Sequence, residues 1–590
     1  MGTLERVIRA CEAHDAGVAA EVCRGRSDPE AGRAWLDRWQ AVQAAVPQGR
    51  TPTGLELPRL ALPAIDEPGA IARFLLGQGL PGEFPFVNGI HREMYLEPAA
   101  AADGEQAAKC PEEPTRLFAG LGLAEDTNAR FRYLTRHQQS RRLSTAFDGP
   151  TLYGLDSDAE AVFGKIGEGG VAIDTVEDME RLYAGFDLTD PDCSVSMTIN
   201  GPAPILLAMY VAAAKRRFGP GCLPKLRGTV QADVLKEVQA QNEVIFPVDA
   251  SLRFLADMVE HCTRSLPRWY PISISGYHIA EAGATPVQQA AYTVSNGFAY
   301  VELFAARGLD IAAFAPRLSF FLDCGLDVEY LALARACRKI WAVGMRDVFR
   351  ADERGQRMRL HTQTSGRSLI AQSYKNNLTR TAVELIVAYM NATNSCHSNS
   401  ADEPFTTPGE EYVKLAANAQ AILLEESGLF RHMMNTLAGS PGMQAVQEAV
   451  ERGILAEFGT IDGLGGVLAA VEHRYQRSQI QSAAHRYERQ VFSGERPIVG
   501  LNRYRDESER LPDVEMVRTS RAKKLRQVAR LRAFKKRNRA AAGRALDSLA
   551  RVVESEGNVF AELVDAVEVC SLGQITGRLH ELVGHFRPLV

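Results

Sequence analysis

A closed parallel α/β barrel, (β/α)8, with an N-terminal arm and a C-terminal helical segment, is the architecture this sequence predicts. Two observations carry it. From about residue 140, short strand patterns alternate with longer helical ones, the order of a parallel sheet with crossover helices. Several of those strands also carry small polar residues on one face. In PISISGYHIAEAGA, Pro271 to Ala284, alternation sends Ser273, Ser275 and Tyr277 one way and Ile272 and Ile274 the other. A parallel strand covered on both sides ordinarily reads apolar on both faces, so this polar face lines something that is neither core nor bulk water. The pattern recurs with Ser194, Ser196, Thr198 and Asn200 in SVSMTING, Ser144 and Ala146 in RLSTAFD, Ser319 in RLSFFLDC, and Thr362 and Thr364 in HTQTSGRS. Barrels normally fill their interior with Val, Ile and Leu. One lined by hydroxyls is underpacked unless a long, thin, polar ligand threads it. For any single strand, ordinary buried serines bonded to backbone remain the alternative.

Residues 1–84 read as a helical arm and then an extended wrap, with loop-like PQGRTPTG and LPAIDEPG. The barrel is assigned to 85–440, with candidate strands at 142–147, 170–174, 194–200, 227–231, 271–277, 317–323, 358–364 and 394–398. Helical patterns such as TVEDMERLYAGF, ILLAMYVAAAKRRF and RTAVELIVAYMNAT lie between them. An open doubly wound sheet is the alternative arrangement. The 441–590 segment reads as helical. Within it, 521–539 is rich in Arg and Lys, with Leu525, Val528 and Leu531 as an apolar stripe at helical spacing. No aromatic stacking pattern accompanies the charge, so a solvated helix face or a docking surface for an acidic partner, serving subunit contact, is expected there, not nucleic acid.

Composition narrows the class. The chain has 590 residues and a net charge of −5, which gives no basic field for nucleic acid. No apolar run is long enough to span a bilayer, so no membrane is expected. The ten cysteines include no C-x-x-C pair, which argues against a zinc site or disulfide framework and for a cytoplasmic setting. The opening MGTLERVIRACEAHDAG has charges where a secretory signal is apolar.

Catalytic groups of such barrels project from the C-terminal ends of strands. Those ends offer Thr229, Gln231, Tyr277, His278, Ser319, Gln372, Asn399 and Glu403. There is no G-x-S-x-G, H-E-x-x-H, P-loop or G-x-G-x-x-G after a strand. Amides, a phenol and an imidazole hold and polarise a ligand, which fits a reaction whose hard chemistry belongs to a cofactor.

AFDGPTLYG, GGVAIDTVEDMERLY, SVSMTINGPAP, RGTVQADVLKE, SISGYHIAEAGA, FAPRLSFF, QTSGRSL and NSCHSNSADE together resemble the adenosylcobalamin-dependent acyl-CoA mutases, over about 85–505. The resemblance is closest to the isobutyryl-CoA mutase branch of the methylmalonyl-CoA mutase family. It implies a barrel threaded by the pantetheine arm of CoA, and a radical 1,2-migration of the CO–SCoA group that converts isobutyryl-CoA to n-butyryl-CoA. It implies that Tyr277 packs beside the corrin and helps displace the adenosyl group, and that His278 hydrogen-bonds the thioester carbonyl. Gln372, Asn399 and Glu403 match residues that hold the adenosyl ribose. Ser196, Thr198, Thr229, Gln231, Arg317 and Ser319 match positions along the CoA arm. Phe118 and Gln241 match the tyrosine and arginine that clamp a substrate carboxylate in the methylmalonyl enzymes. Neither supplies a cation, so an uncharged branched acyl chain is implied, because a carboxylate desolvated there would be costly. Ala146 stands where hydroxyisobutyryl-specific relatives carry an aspartate. Isovaleryl, pivalyl and hydroxyisobutyryl chains, a non-catalytic scaffold subunit and a cobalamin-independent barrel enzyme are the other readings.

Two departures qualify the match. The 89–110 segment, GIHREMYLEPAAAADGEQAAKC, lacks the aromatic and arginine of the family's CoA-entry loop. The cobalt-ligating Asp-x-His-x-x-Gly does not occur. The chain thus looks like the large subunit of a two-component mutase. The expected partners are a small cobalamin-binding subunit that supplies the cobalt ligand, in a heterotetramer, and a GTPase chaperone.

Overall fold

The structure, a computed structural model, describes residues 2–51, 53–96, 115–136, 140–241, 243–506, 508 and 518–586. The altered CoA-entry segment lies outside the described residues from 97 onward. Two compact units divide the chain. One holds Met1–Thr115, Gly276–Ala299 and Phe320–Asp513, and the other Arg116–Ser275, Tyr300–Ser319 and Val514–Val590. Both are α/β with parallel strands, as the alternating pattern required.

In the second unit the sheet runs Phe118–Ala119, Arg141–Ala146, Cys193–Thr198, Gly228–Val230 and Trp269–Tyr270, every neighbouring pair parallel. Pro271 interrupts the last strand, which resumes at Ile272–Ser275; a proline has no N–H to give the ladder. Crossover helices cover this sheet. Ala203–Phe218 buries every residue from Ala203 to Ala214 and ends in Lys215, Arg216 and Arg217, where cations suit the helix C-terminus. In the first unit Arg359–Thr364 pairs in parallel with Ser395–His397, and Thr115 bridges to Cys396. Its arm is helical over Thr3–Ser27, Pro29–Ala44 and Pro68–Gly77, with a two-stranded antiparallel turn between Gln48–Arg50 and Glu56–Pro58.

Two strand assignments change. The 170–174 run contributes only an isolated bridge, Val171 to Phe147, before Thr175 and Asp178 start the next helix. The backbone N–H groups of Asp174 and Thr175 are taken up by the Asp178 carboxylate, so this apolar run has a different use for its hydrogen bonds. Conversely, Phe118–Ala119 is a strand of two residues, too short for alternation to reveal.

The basic segment finds acids within this chain. It lies at the start of the helix Arg521–Glu554. Lys523 pairs with Asp126 at 2.7 Å, Lys524 with Glu168 at 2.7 Å, Arg530 with Glu125 at 3.0 Å and Lys535 with Asp158 at 2.7 Å. Gln527 adds a buried link, donating to Asp174 at 2.7 Å and Asp178 at 3.1 Å. The apolar stripe also shifts by three residues: Val528, Leu531 and Phe534 are buried while Leu525 is 51% exposed. Leu531→Ala is expected to cost about 2–5 kcal/mol, the range for truncating a buried leucine, and Leu525→Ala under about 0.5 kcal/mol. Equal shifts of the two denaturation midpoints would show that the helix docks on another face.

Candidate functional site

Strand register gathers the polar residues of the second unit into rows. Phe118 pairs with Ser144, Ser144 with Ser196, Ser196 with Thr229 and Thr229 with Tyr270. In-register neighbours on parallel strands share a face, so one face of this sheet carries Phe118, Ser144, Ser196 and Thr229 side by side. The next row on that face adds Ala146 and Thr198, themselves paired. Arg116, which the sequence reading passed over, reaches into the row and donates to the Ser196 hydroxyl. Ser144 is fully buried and its hydroxyl has no hydrogen-bond partner among the described residues. A buried hydroxyl in that condition needs a water or a ligand. Other hydroxyls answer to the fold: Thr198 donates to the Thr145 carbonyl at 2.9 Å and Ser319 to that of Ile272 at 3.0 Å. Gln231 accepts from Asn200 at 3.1 Å, and Arg317 sits in the short 3-10 turn before the Leu318–Cys324 strand.

Gln241 closes the helix Val234–Ala240 as its C-terminal cap. Its amide oxygen accepts from Lys236 Nζ at 2.5 Å, and the same ammonium donates to Glu237 at 2.5 Å. Lys236 is fully buried and Glu237 is 1% exposed. The sequence reading had no cation beside Gln241. The structure puts one there and cancels its charge in the next residue. The start of this helix is fixed by Asp233, whose carboxylate accepts from Lys236 N at 3.2 Å, Ser275 N at 2.7 Å and the Tyr300 hydroxyl at 2.6 Å.

The first unit assembles a second group. Gly276 carries the chain from strand into the helical turn Tyr277–Glu281. A Cβ on Gly276 would fall 2.3 Å from Thr293 Oγ1, so only glycine fits, and its N–H donates to the Phe321 carbonyl at 2.7 Å. Tyr277 then stacks flat on Phe321, ring centroids 4.9 Å apart, with His278 edge-on to both rings. Gln363 ties this to the neighbouring loop: its amide nitrogen donates to the Tyr277 hydroxyl at 2.9 Å and to Asn399 Oδ1 at 2.8 Å. Asn399 is locked in turn by Thr364, through its N–H to Oγ1 at 2.9 Å and its amide to the carbonyl at 2.8 Å. Gln372 lies in the turn beyond, its carbonyl near Gly500; Gln363 is the glutamine that joins Tyr277 to Asn399. Burial on Arg359–Thr364 explains why it was missed. Thr362 and Thr364 face the protein interior, and His361 and Gln363 occupy the half-buried face.

Electrostatics sharpen the group. Desolvation, with Glu281, Asp323 and Glu403 nearby, holds the Tyr277 phenol well above its usual range, so it stays a neutral hydroxyl. Desolvation also pushes Glu403 up to about 7, against the pull of the Ser400 N–H that its carboxylate accepts at 2.8 Å. Glu281 is raised as well, although it accepts the N–H groups of Gly366 at 2.7 Å and Arg367 at 3.2 Å. Beyond that loop opens a cavity of about 760 Å³ lined by Tyr330, Ser365, Arg367, Arg380, Tyr487 and Arg496, all of the same unit. Among the described residues no cluster of three or more His, Cys, Asp or Glu is placed to hold a metal ion, and no helix is long and apolar enough to cross a membrane.

Residues 65–585 match the family described as methylmalonyl-CoA mutase. The chain is 43% identical over 564 residues to a fused isobutyryl-CoA mutase of Geobacillus kaustophilus, covering 91% of this chain and 51% of that protein. It is 42% identical to the fused isobutyryl-CoA mutase of Nocardia farcinica, covering 97% and 56%. Against the 2-hydroxyisobutanoyl-CoA mutase large subunit of Aquincola tertiaricarbonis it is 37% identical, covering 86% and 88%. The chain thus spans about half the length of the fused relatives it matches. Their description as fused overturns the expected two-subunit complex with a separate small cobalamin-binding subunit.

The pH dependence of the Glu403 environment has a definite sign. A carboxyl raised from 4.5 to about 7 holds its proton longer in the folded protein. Its contribution to stability is therefore full below 4.5 and is lost as pH rises through about 7. Between those values the native protein should lose stability with pH faster than Glu403→Gln, by up to about 1.4 kcal/mol per pH unit. Denaturation midpoints across that window check it, and parallel profiles would place the titration elsewhere.

Proposed function

The chain belongs to the methylmalonyl-CoA mutase family, and from that premise we propose that it is the acyl-CoA-handling part of an adenosylcobalamin-dependent mutase that interconverts isobutyryl-CoA and n-butyryl-CoA. The observation that carries the substrate reading is the neutral pair Phe118 and Gln241, one in the hydroxyl-lined row and the other accepting from Lys236, whose ammonium also pairs with Glu237. The (β/α)8 barrel expected from the sequence is part of this proposal, resting on the family.

The row Ser144, Ser196 and Thr229, with Arg116 donating into it, suits the amide and carbonyl groups of a pantetheine arm. Ser144 supplies a hydroxyl, unpaired among the described residues, that such a ligand would satisfy. Amides and a carboxyl at Gln363, Asn399 and Glu403 suit the vicinal hydroxyls of a ribose, so the residues present fit the adenosyl group. When bound, adenosylcobalamin supplies the radical that starts the rearrangement. The neutral Tyr277 hydroxyl, held by Gln363 and backed by Phe321, keeps a fixed aromatic wall at the strand end. His278 is braced against the Tyr277 and Phe321 rings, and in this reading it donates a hydrogen bond to a thioester oxygen and draws charge from it. Packed walls exclude water and hold the acyl chain in register.

The test is turnover of isobutyryl-CoA by the full-length protein with adenosylcobalamin, against 2-hydroxyisobutyryl-CoA and methylmalonyl-CoA. Isobutyryl-CoA should give the highest kcat/KM. Phe118→Tyr with Gln241→Arg should lower it by at least about 100-fold, because a guanidinium would be buried against a methyl group. Undiminished turnover in that double variant would place the acyl pocket elsewhere.

A further inference from the structure

The cavity beyond the Ser365 loop is separate from the groups assigned above. It holds about 760 Å³, and Tyr277, Gln363, Asn399 and Glu403 are not among its walls. Three arginines line it, Arg367, Arg380 and Arg496. Arg367 uses Nη1 for the carbonyls of Ala280 and Ala284, at 2.8 and 2.9 Å. Arg380 donates to Asn377 Oδ1 at 2.7 Å and to the Val499 carbonyl at 2.6 Å. Among the described residues neither meets a carboxylate within ion-pair distance, whereas Arg496 pairs with Asp327. Tyr487 joins the three. Arg367 and Arg496 lie over its ring, 4.6 and 4.7 Å from the centroid, and its phenol acts on the charge of Arg380.

The acids around these cations do little to balance them. Burial holds Glu384, the carboxyl that acts on Arg380, well above the usual range. Burial likewise pushes Asp323, which feels Arg367, up to about 8, and raises Glu281. Of the acids in the wall, Asp327 is taken by Arg496, and Glu495 is exposed and accepts from Gln490 at 3.4 Å. Desolvation pulls Arg380 below its ordinary value, because its neighbours do not replace the water it has lost. The helix Asn376–Met390 turns its first residues, Asn376, Thr379 and Arg380, to the same space, and its N-cap, Lys375, makes no side-chain capping bond. That end of a helix favours an anion.

We propose that this cavity binds the phosphate or pyrophosphate group of a small molecule distinct from the acyl-CoA. Guanidinium forks match phosphate oxygens in pairs, and two arginines without ion pairs call for more negative charge than one carboxylate carries. Leu326, Ile498 and Val499 in the wall give apolar surface to the body of that ligand.

Calorimetric titration of the full-length protein with inorganic pyrophosphate tests the site. One equivalent should bind, and more weakly as salt rises. Arg367→Met and Arg380→Met should each weaken binding at least tenfold, while Arg532→Gln, an exposed change on the helix Arg521–Glu554, should leave it unaltered. Asp327→Asn releases Arg496 and should tighten binding at least threefold, which keeps the test open if the arginine variants fail to fold. Saturating isobutyryl-CoA should leave the pyrophosphate affinity unchanged. Displacement by isobutyryl-CoA would assign the arginines to the CoA nucleotide and overturn a separate site. No binding in the millimolar range, or an affinity indifferent to the folded cavity variants, overturns the inference and leaves the proposed function standing.

Discussion

One buried carboxylate organises the second unit. Asp233 takes a hydrogen bond from the first turn of the helix that carries Lys236, from the end of the Ile272–Ser275 strand at Ser275 N, and from Tyr300. The Tyr300 hydroxyl in turn accepts Leu235 N at 2.9 Å, and Asn200 accepts Asp233 N at 3.1 Å. An anion removed from water is tolerated only when its lone pairs are filled. Desolvation still pushes Asp233 up to about 6 despite these donors. The helix start follows from where this group stands, hence Lys236 one turn later and the cap residue Gln241. The same Asn200 also donates to Gln231, so the strand ends and the helix form one connected polar network.

The first unit solves a similar problem with amides. Gln363, Asn399 and Thr364 consume one another's donors and acceptors around the Tyr277 hydroxyl. Nothing in that chain carries charge, and the acids next to it, Glu281 and Glu403, are held toward their protonated forms by burial. A site of this kind orients neutral groups and avoids strong acids or bases. That is the chemistry expected where reactive species must be guided and shielded from water, with the bond-breaking left to a bound cofactor.

Parts of this were legible in the residues. The Ser194, Ser196 and Thr198 alternation placed three polar side chains on one face, and the register confirms that Ser196 shares its row with Ser144 and Thr229. On HTQTSG the same reasoning pointed to the wrong face. Every residue from His361 to Thr364 is polar, so alternation separates two sets without saying which one faces inward. Gln363 was overlooked for that reason. The stripe on the basic helix was read three residues early because Leu525 and Leu531 look alike until a packing surface selects between them.

The sequence by itself determined the alternating parallel α/β architecture, the strands long enough to show a period, the polar strand faces and the family to which the chain belongs. Those features are local, fixed by side-chain period, turn residues and motif spacing. Tertiary structure alone decided which side chains meet: Gln363 with Tyr277 and Asn399, Arg116 with Ser196, the basic helix with acids hundreds of residues away, and Lys236 with Gln241. All but the last depend on two segments distant in sequence converging to within about 3 Å, the distance at which a hydrogen bond forms; Lys236 meets Gln241 across the end of one helix. No period or composition in the chain encodes that convergence.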